Sequence, residues 1–210
     1  MDDILNLLIN GFIKKENLFS NKELLEIEKS VKILFNSRLP VNDSKTAYFW
    51  DDKITCPFIG LIKNKVFFLK EYFNNNFILS RVWLRSSYAN YQGNGWHQDT
   101  NLMIIPNPVI VGIPLQDLNK NNGALKFVPR THTLPHPNFN KDKILNEILI
   151  ELNRGGGILF LNSVWHRGCP NYTNVTRDIV YCEFISESSL KANLSIEEYQ
   201  KSQTSLSKNI

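Results

Sequence analysis

The spacing of apolar residues divides the chain into two textures. Residues 1–76 read as helical. Ser20 and Glu23 fit a capping box, and Leu24, Ile27, Val31 and Leu34 then fall on one helical face. Pro40 forbids continuation. A second helix is expected from Pro57, with Phe58, Leu61, Ile62, Leu69 and Phe73 as its apolar stripe, ending at Asn74 in an asparagine run. The intervening TAYFWDDK (46–53) is expected to be an aromatic loop. From residue 77 the pattern changes to short runs rich in β-branched and aromatic residues. FILSRVWLRSSYANY, LMIIPNPVIVGIPLQD, GALKFVP, GGILFLNSVW and DIVYCEFIS read as strands between Gly, Asn and Pro turns. Ile144, Leu145, Ile148, Leu149 and Leu152 predict one helix among them, stopped by the glycines at 155–157. The tail from 187 to 210 is polar and is expected to form a short helix and then fray. Helices first and many strands later predict a mainly β protein, a sandwich or open barrel, with helices packed outside.

Composition narrows the class. Apolar residues make up 42% of the 210, charged residues 21%, and the net charge is +4. A single domain (1–210) is expected: a helical part at 1–76, a strand-rich core at 77–186 and a polar tail at 187–210. The basic residues form no stripe, so nucleic acid is not an expected partner. Acidic residues stand where a secretion signal carries bases, and no stretch approaches a membrane span. Cys56, Cys169 and Cys182 form no paired framework, which fits a reducing cytoplasmic location. Oligomeric state is not legible.

The chemistry gathers around WHQD. His97 and Asp99 are two apart, so on extended backbone both point to one face. His166 follows the strong strand signal GGGILFLNSVW. Two imidazoles and one carboxylate on a metal leave three open positions, a set that suits non-haem Fe(II) holding a co-substrate and dioxygen. The plainer alternatives are a turn histidine paired with Asp99 and a core histidine at a strand end. Arg177 begins the last strand, eleven positions after His166. A hairpin through RGCPNYTNVT brings it back to the metal, where a guanidinium can grip the far end of a dicarboxylic 2-oxo acid. Its plainer fate is an ion pair with Asp178.

GWHQDTN, NNGALKFVPRTH and GGGILFLNSVWHRGCPNYTNVTRDIVYCEF, in that order, resemble the phytanoyl-CoA dioxygenase family of Fe(II)/2-oxoglutarate oxygenases, and GFIKKENLFSNKEL is similar to its usual opening. The resemblance covers most of residues 11–186. It implies a double-stranded β-helix, a cupin-like jelly roll, with His97, Asp99 and His166 as the metal ligands and Arg177 binding the 2-oxoglutarate carboxylate. It implies hydroxylation of an unactivated C–H bond of a small molecule, with dioxygen consumed and succinate and carbon dioxide as co-products. The alternative is a metal-binding jelly roll without 2-oxoglutarate turnover. One departure stands out: the family's Pro-Gly-Ser-His reads Pro129-Arg130-Thr131-His132 here. Trp50, Arg130 and His132 are candidate substrate contacts, as members of two loops, 46–53 and 129–137, expected to cover the mouth. Asn171 matches a family asparagine and reads as turn-fixing. Tyr88, Asn90 and Gln92 are expected on one strand face and Arg85 on the other.

Overall fold

Ser20 opens the long N-terminal helix as the capping box requires. The Ser20 N–H donates to Glu23 Oε2 at 2.7 Å, and the Glu23 N–H returns to Ser20 Oγ at 3.3 Å. The Lys65 ammonium and the Ser20 N–H together hold the Glu23 carboxyl at about 2. The structure, a computed structural model, describes residues 2–35, 41–43, 46–51, 58–74, 76–99, 106–133, 144 and 146–188.

Among these residues the helices are α1 (Asp3–Asn10), α2 (Asn21–Phe35), α3 (Ile59–Lys65) and α4 (Leu69–Tyr72). The strands are β1 (Phe12–Lys15), β2 (Val41–Asp43), β3 (Thr46–Asp51), β4 (Phe77–Ser87), β5 (Val109–Pro114), β6 (Leu125–Phe127), β7 (Ile148–Ile150), β8 (Gly157–Leu161), β9 (His166–Gly168) and β10 (Arg177–Ser186). The major sheet runs β1-β8-β5-β10-β4-β3-β2 and the minor sheet β7-β6-β9. All these pairings are antiparallel. A bridge from His97 to His166 extends the minor sheet beyond β9.

Alternation sorts the major sheet into two faces. On the outer face Val82, Val111, Leu159, Val180 and Phe184 pack against Leu24, Ile27 and Val31 of α2 and Ile62 and Leu69 of α3 and α4. On the inner face Trp83, Ile110, Ile158, Phe160, Ile179 and Tyr181 meet Leu125, Phe127 and Ile150 of the minor sheet. Two sheets closing over one apolar interior, with helices on one outer face, form the expected jelly roll.

The helical reading of 1–76 is corrected at three strands. β1 binds the edge of β8, and β2 and β3 extend the sheet beyond β4. TAYFWDDK is thus not a loop: Thr46–Asp51 is strand, with Trp50 in register opposite Trp83. The helix expected from Pro57 breaks at Val66-Phe67-Phe68, poor helix formers, where bonds shorten to Leu69 N–H to Val66 O and Lys70 N–H to Phe67 O. The helix expected through 144–152 is strand β7. Asn146 turns at φ 67°, and burial then alternates, with Ile150 and Leu152 inside and Ile148 and Glu151 out. The expectations at Pro40, Pro57, Leu145, Cys56, the 134–137 part of the second expected loop and the tail beyond 188 lie outside the described residues. Among the described residues no helix is long and apolar enough to cross a membrane.

One buried ion pair spans β4 and β10. Arg81 Nε lies 2.8 Å from Glu183 Oε2, whose side chain is fully buried, and the guanidinium stacks on Trp83 at 4.6 Å. Glu183→Ala leaves the buried cation without this carboxylate, so it is expected to cost about 3 kcal/mol in denaturant unfolding. A joint change to Met at 81 and Leu at 183 is expected to recover most of that loss.

Candidate metal and co-substrate site

The triad is assembled by backbone pairing. The His97 N–H donates to His166 O and the His166 N–H to His97 O, both at 3.0 Å, while the Asp99 N–H donates to Asn162 O at 2.8 Å. The bridge sets His97 beside β9, and β9 is itself paired through His166 with Phe127 of β6. The imidazoles therefore leave the minor sheet on its inner side, 4.4 Å apart between ring centroids. Asp99 Oδ1 lies 3.6 Å from His97 Nε2 and Oδ2 lies 3.5 Å from His166 Nε2. The potential ligand atoms all fall within 4.8 Å of one another. Three mutually adjacent ligands about an octahedral metal lie ~3 Å apart, so the set fits an ion with slight contraction.

Carbonyl contacts favour one tautomer at each histidine, at His97 over a longer contact of Nδ1 with the Asn94 amide at 3.3 Å. His97 Nδ1–H donates to Gly95 O and His166 Nδ1–H to Val164 O, each at 2.9 Å. A carbonyl only accepts, so the proton sits on Nδ1 and the lone pair on Nε2 faces the partner ligands. Burial, helped by the nearby His166 ring, lowers the His97 pKa to about 4 against the pull of Asp99. The imidazole is thus neutral at pH 7, as a ligand must be. Phe160 at 4.9 Å and Phe127 at 5.6 Å wall the His166 ring from below.

Arg177 starts β10 opposite Ser87 and is 1% exposed. Asp178 does not neutralise it in an ion pair; that carboxylate takes the Ser86 hydroxyl instead, at 2.5 Å. Among the described residues, Arg177 Nε and Nη1 are buried and have no hydrogen-bond partner. Burial draws its pKa below the ordinary guanidinium value, and Arg85 acts in the same direction. Arg85 lies opposite Ile179, so it shares the inner face diagonally with Arg177. Its Nη2 donates to Tyr91 Oη at 2.6 Å. A guanidinium with buried free N–H groups needs an acceptor, and a carboxylate fits the fork. Gly123, at φ 88°, makes room for it: a Cβ there meets Arg177 Nη2 at 3.1 Å and Nε at 3.3 Å. Gly123→Ala is expected to weaken 2-oxoglutarate binding by ~fivefold or more, on the order of 1 kcal/mol, while iron affinity holds in equilibrium dialysis.

The other sequence candidates lie elsewhere. His132 Nε2 donates to Leu8 O at 3.0 Å, binding a carbonyl of α1. Arg130 is exposed at φ 67°, its N–H bound to Asn10 O at 3.1 Å. The structure joins neither to the triad. Tyr88, Asn90 and Gln92 lie in a turn beyond β4, not on a strand face, with Asn90 at φ 60°. Sequence reasoning missed Gly123 and the aromatic wall of Phe127 and Phe160. Asn121-Asn122-Gly123 was a turn signal, yet nothing in it pointed to Arg177.

His97, Asp99 and His166 form a set that could hold a metal ion, and on the facing sheet Arg177 is buried with Nε and Nη1 lacking hydrogen-bond partners among the described residues. The chain matches the phytanoyl-CoA dioxygenase (PhyH) family over residues 9–179 and belongs to it. It is a non-haem iron, 2-oxoglutarate-dependent enzyme. Solved structures agree in fold. The α-ketoglutarate-dependent epimerase SnoN of nogalamycin biosynthesis superposes with TM-score 0.74 at 15% identity, over 87% of this chain and 81% of that one. The carbocyclase SnoK of the same biosynthesis gives 0.72 at 9%, over 87% and 82%. HygX from Streptomyces hygroscopicus, solved with nickel, 2-oxoglutarate and hygromycin B, gives 0.68 at 12%, over 88% and 86%. No protein with a curated description matches the chain.

Proposed function

We propose that the chain hydroxylates an unactivated C–H bond of a small molecule, using His97, Asp99 and His166 to hold Fe(II) and Arg177 to hold the far carboxylate of 2-oxoglutarate. The observation that carries this reading is the pairing of a metal-competent triad with a buried arginine whose Nε and Nη1 lack hydrogen-bond partners among the described residues. Bound iron supplies dioxygen activation, with 2-oxoglutarate converted to succinate and carbon dioxide. The chain does the rest. The two Nδ1–H bonds aim both imidazoles, Phe127 and Phe160 keep water from the inner side, and Arg177 sets the co-substrate's direction. The reading takes residues 1–210 as one oxygenase domain of the cytoplasm. Cys169 and Cys182, free and buried, are compatible with that compartment. Neighbours that act on or bind nogalamycin-type and hygromycin molecules support a small-molecule substrate.

Related folds also carry out epimerisation and carbocyclisation, so the outcome at carbon is the point to test. Asp99 occupies the position a halide needs, and this favours oxygen transfer. Turnover of a metabolite panel in saturating chloride is expected to give a product that gains oxygen and no chlorine, with one succinate per product. Product of unchanged mass, or a chlorinated product, contradicts the hydroxylase reading.

A further inference from the structure

We infer that Asn171 is the positioning residue that fixes Arg177 relative to the metal triad; this rests on the reading that Arg177 binds the co-substrate carboxylate. Asn171 is fully buried in the turn between β9 and β10, six residues before Arg177. Its side-chain amide donates to Ser87 O at 2.9 Å, Tyr88 O at 3.2 Å and Val175 O at 2.9 Å. Two amide hydrogens serve these three carbonyls, so one hydrogen is shared. Its Oδ1 accepts the Thr173 N–H at 3.1 Å and the Thr173 hydroxyl at 2.6 Å. Its own N–H donates to Tyr91 O at 2.8 Å. Its backbone bridges Asn122, and the next N–H, that of Tyr172, donates to Asn121 O at 2.8 Å.

These contacts join segments on several sides of Arg177, through the side-chain amide at Ser87, Tyr88 and Val175 and through the backbone at Tyr91 and the 121–123 loop. Ser87 is the β4 residue opposite Arg177. Val175 precedes it in the turn. The loop at 121–123 carries Gly123, whose missing side chain admits the guanidinium. Tyr91 takes Arg85 on its hydroxyl and leads the chain into His97. The triad, by contrast, has its own backbone bridge, which Asn171 does not touch. Loss of the Asn171 amide therefore frees the Ser87, Tyr88 and Val175 carbonyls on either side of Arg177, while the backbone bonds to Tyr91 and the 121–123 loop and the bridge of the triad remain.

The test is a cycle of wild type, Asn171→Ala, Arg177→Gln and the double variant, each titrated anaerobically with Fe(II) and then with 2-oxoglutarate. Asn171→Ala is expected to raise the 2-oxoglutarate dissociation constant at least ~tenfold, the scale of a lost charge-assisted pair, with the iron constant within twofold. In the Arg177→Gln background the same change is expected to add less than twofold, because Asn171 acts through Arg177. Equal losses in both backgrounds, or parallel loss of iron and 2-oxoglutarate, overturn the inference. If Asn171→Ala does not fold, Thr173→Ala decides: removing one donor to Oδ1 is expected to weaken 2-oxoglutarate by ~threefold, and an unchanged constant overturns the inference. A wild type that binds iron but no 2-oxoglutarate fails at the earlier step, the reading of Arg177 itself.

Discussion

Replacing His166 by alanine is expected to abolish iron binding at micromolar metal. Loss of an outer partner to a metal ligand already costs ~10–100-fold in affinity, and loss of the ligand exceeds that. The imidazole also packs against both Phe127 and Phe160, so the apo variant is expected to lose about 2 kcal/mol of stability while unfolding cooperatively. His97→Ala separates the two effects. That side chain is 17% exposed against 7% for His166, so iron is lost at a smaller stability cost. Metal analysis after gel filtration, with thermal unfolding of each apo protein, reads both. Wild-type iron content in either variant removes that residue from the ligand set.

Replacing Arg177 gives the second large effect. Arg177→Gln is expected to weaken 2-oxoglutarate by ten- to more than a hundredfold, the ~1.5–3 kcal/mol of a charge-assisted bond, with iron unaffected. The apo protein should respond in the opposite sense. A buried guanidinium without an anion costs free energy, and a hydrophobic side chain of similar length does not. Arg177→Met is therefore expected to unfold at equal or higher denaturant than wild type while losing 2-oxoglutarate binding. A large destabilisation of apo Arg177→Met indicates a structural partner for the arginine and contradicts the anchor role.

The site was more legible in the sequence than the fold around it. His97 and Asp99 share a face by strand periodicity, His166 follows a strong strand signal and Arg177 begins the next, so residues from three separate stretches of the sequence could be proposed for one metal and one anion. Local patterns misled where pairing partners decide the structure. Ile148, Leu149 and Leu152 fit a helical face as well as a strand, and only the turn at Asn146 and the ladder to β6 choose between them. Thr46–Asp51 carries β-forming aromatics, but the edge of β4 that makes it a strand is invisible locally. The four residues of β1 are too few to show a period. Asn171 and Gly123 were legible as turn residues. That they build the pocket of Arg177 depends on three segments meeting, which spacing does not encode.

The account turns on one anaerobic titration of the apo protein with Fe(II) and 2-oxoglutarate. The expected result is one iron and one 2-oxoglutarate per chain, with 2-oxoglutarate binding that requires the metal and a visible charge-transfer absorption that appears only when both are present. Binding of iron without any 2-oxoglutarate, or of 2-oxoglutarate at the same affinity with and without iron, would contradict it.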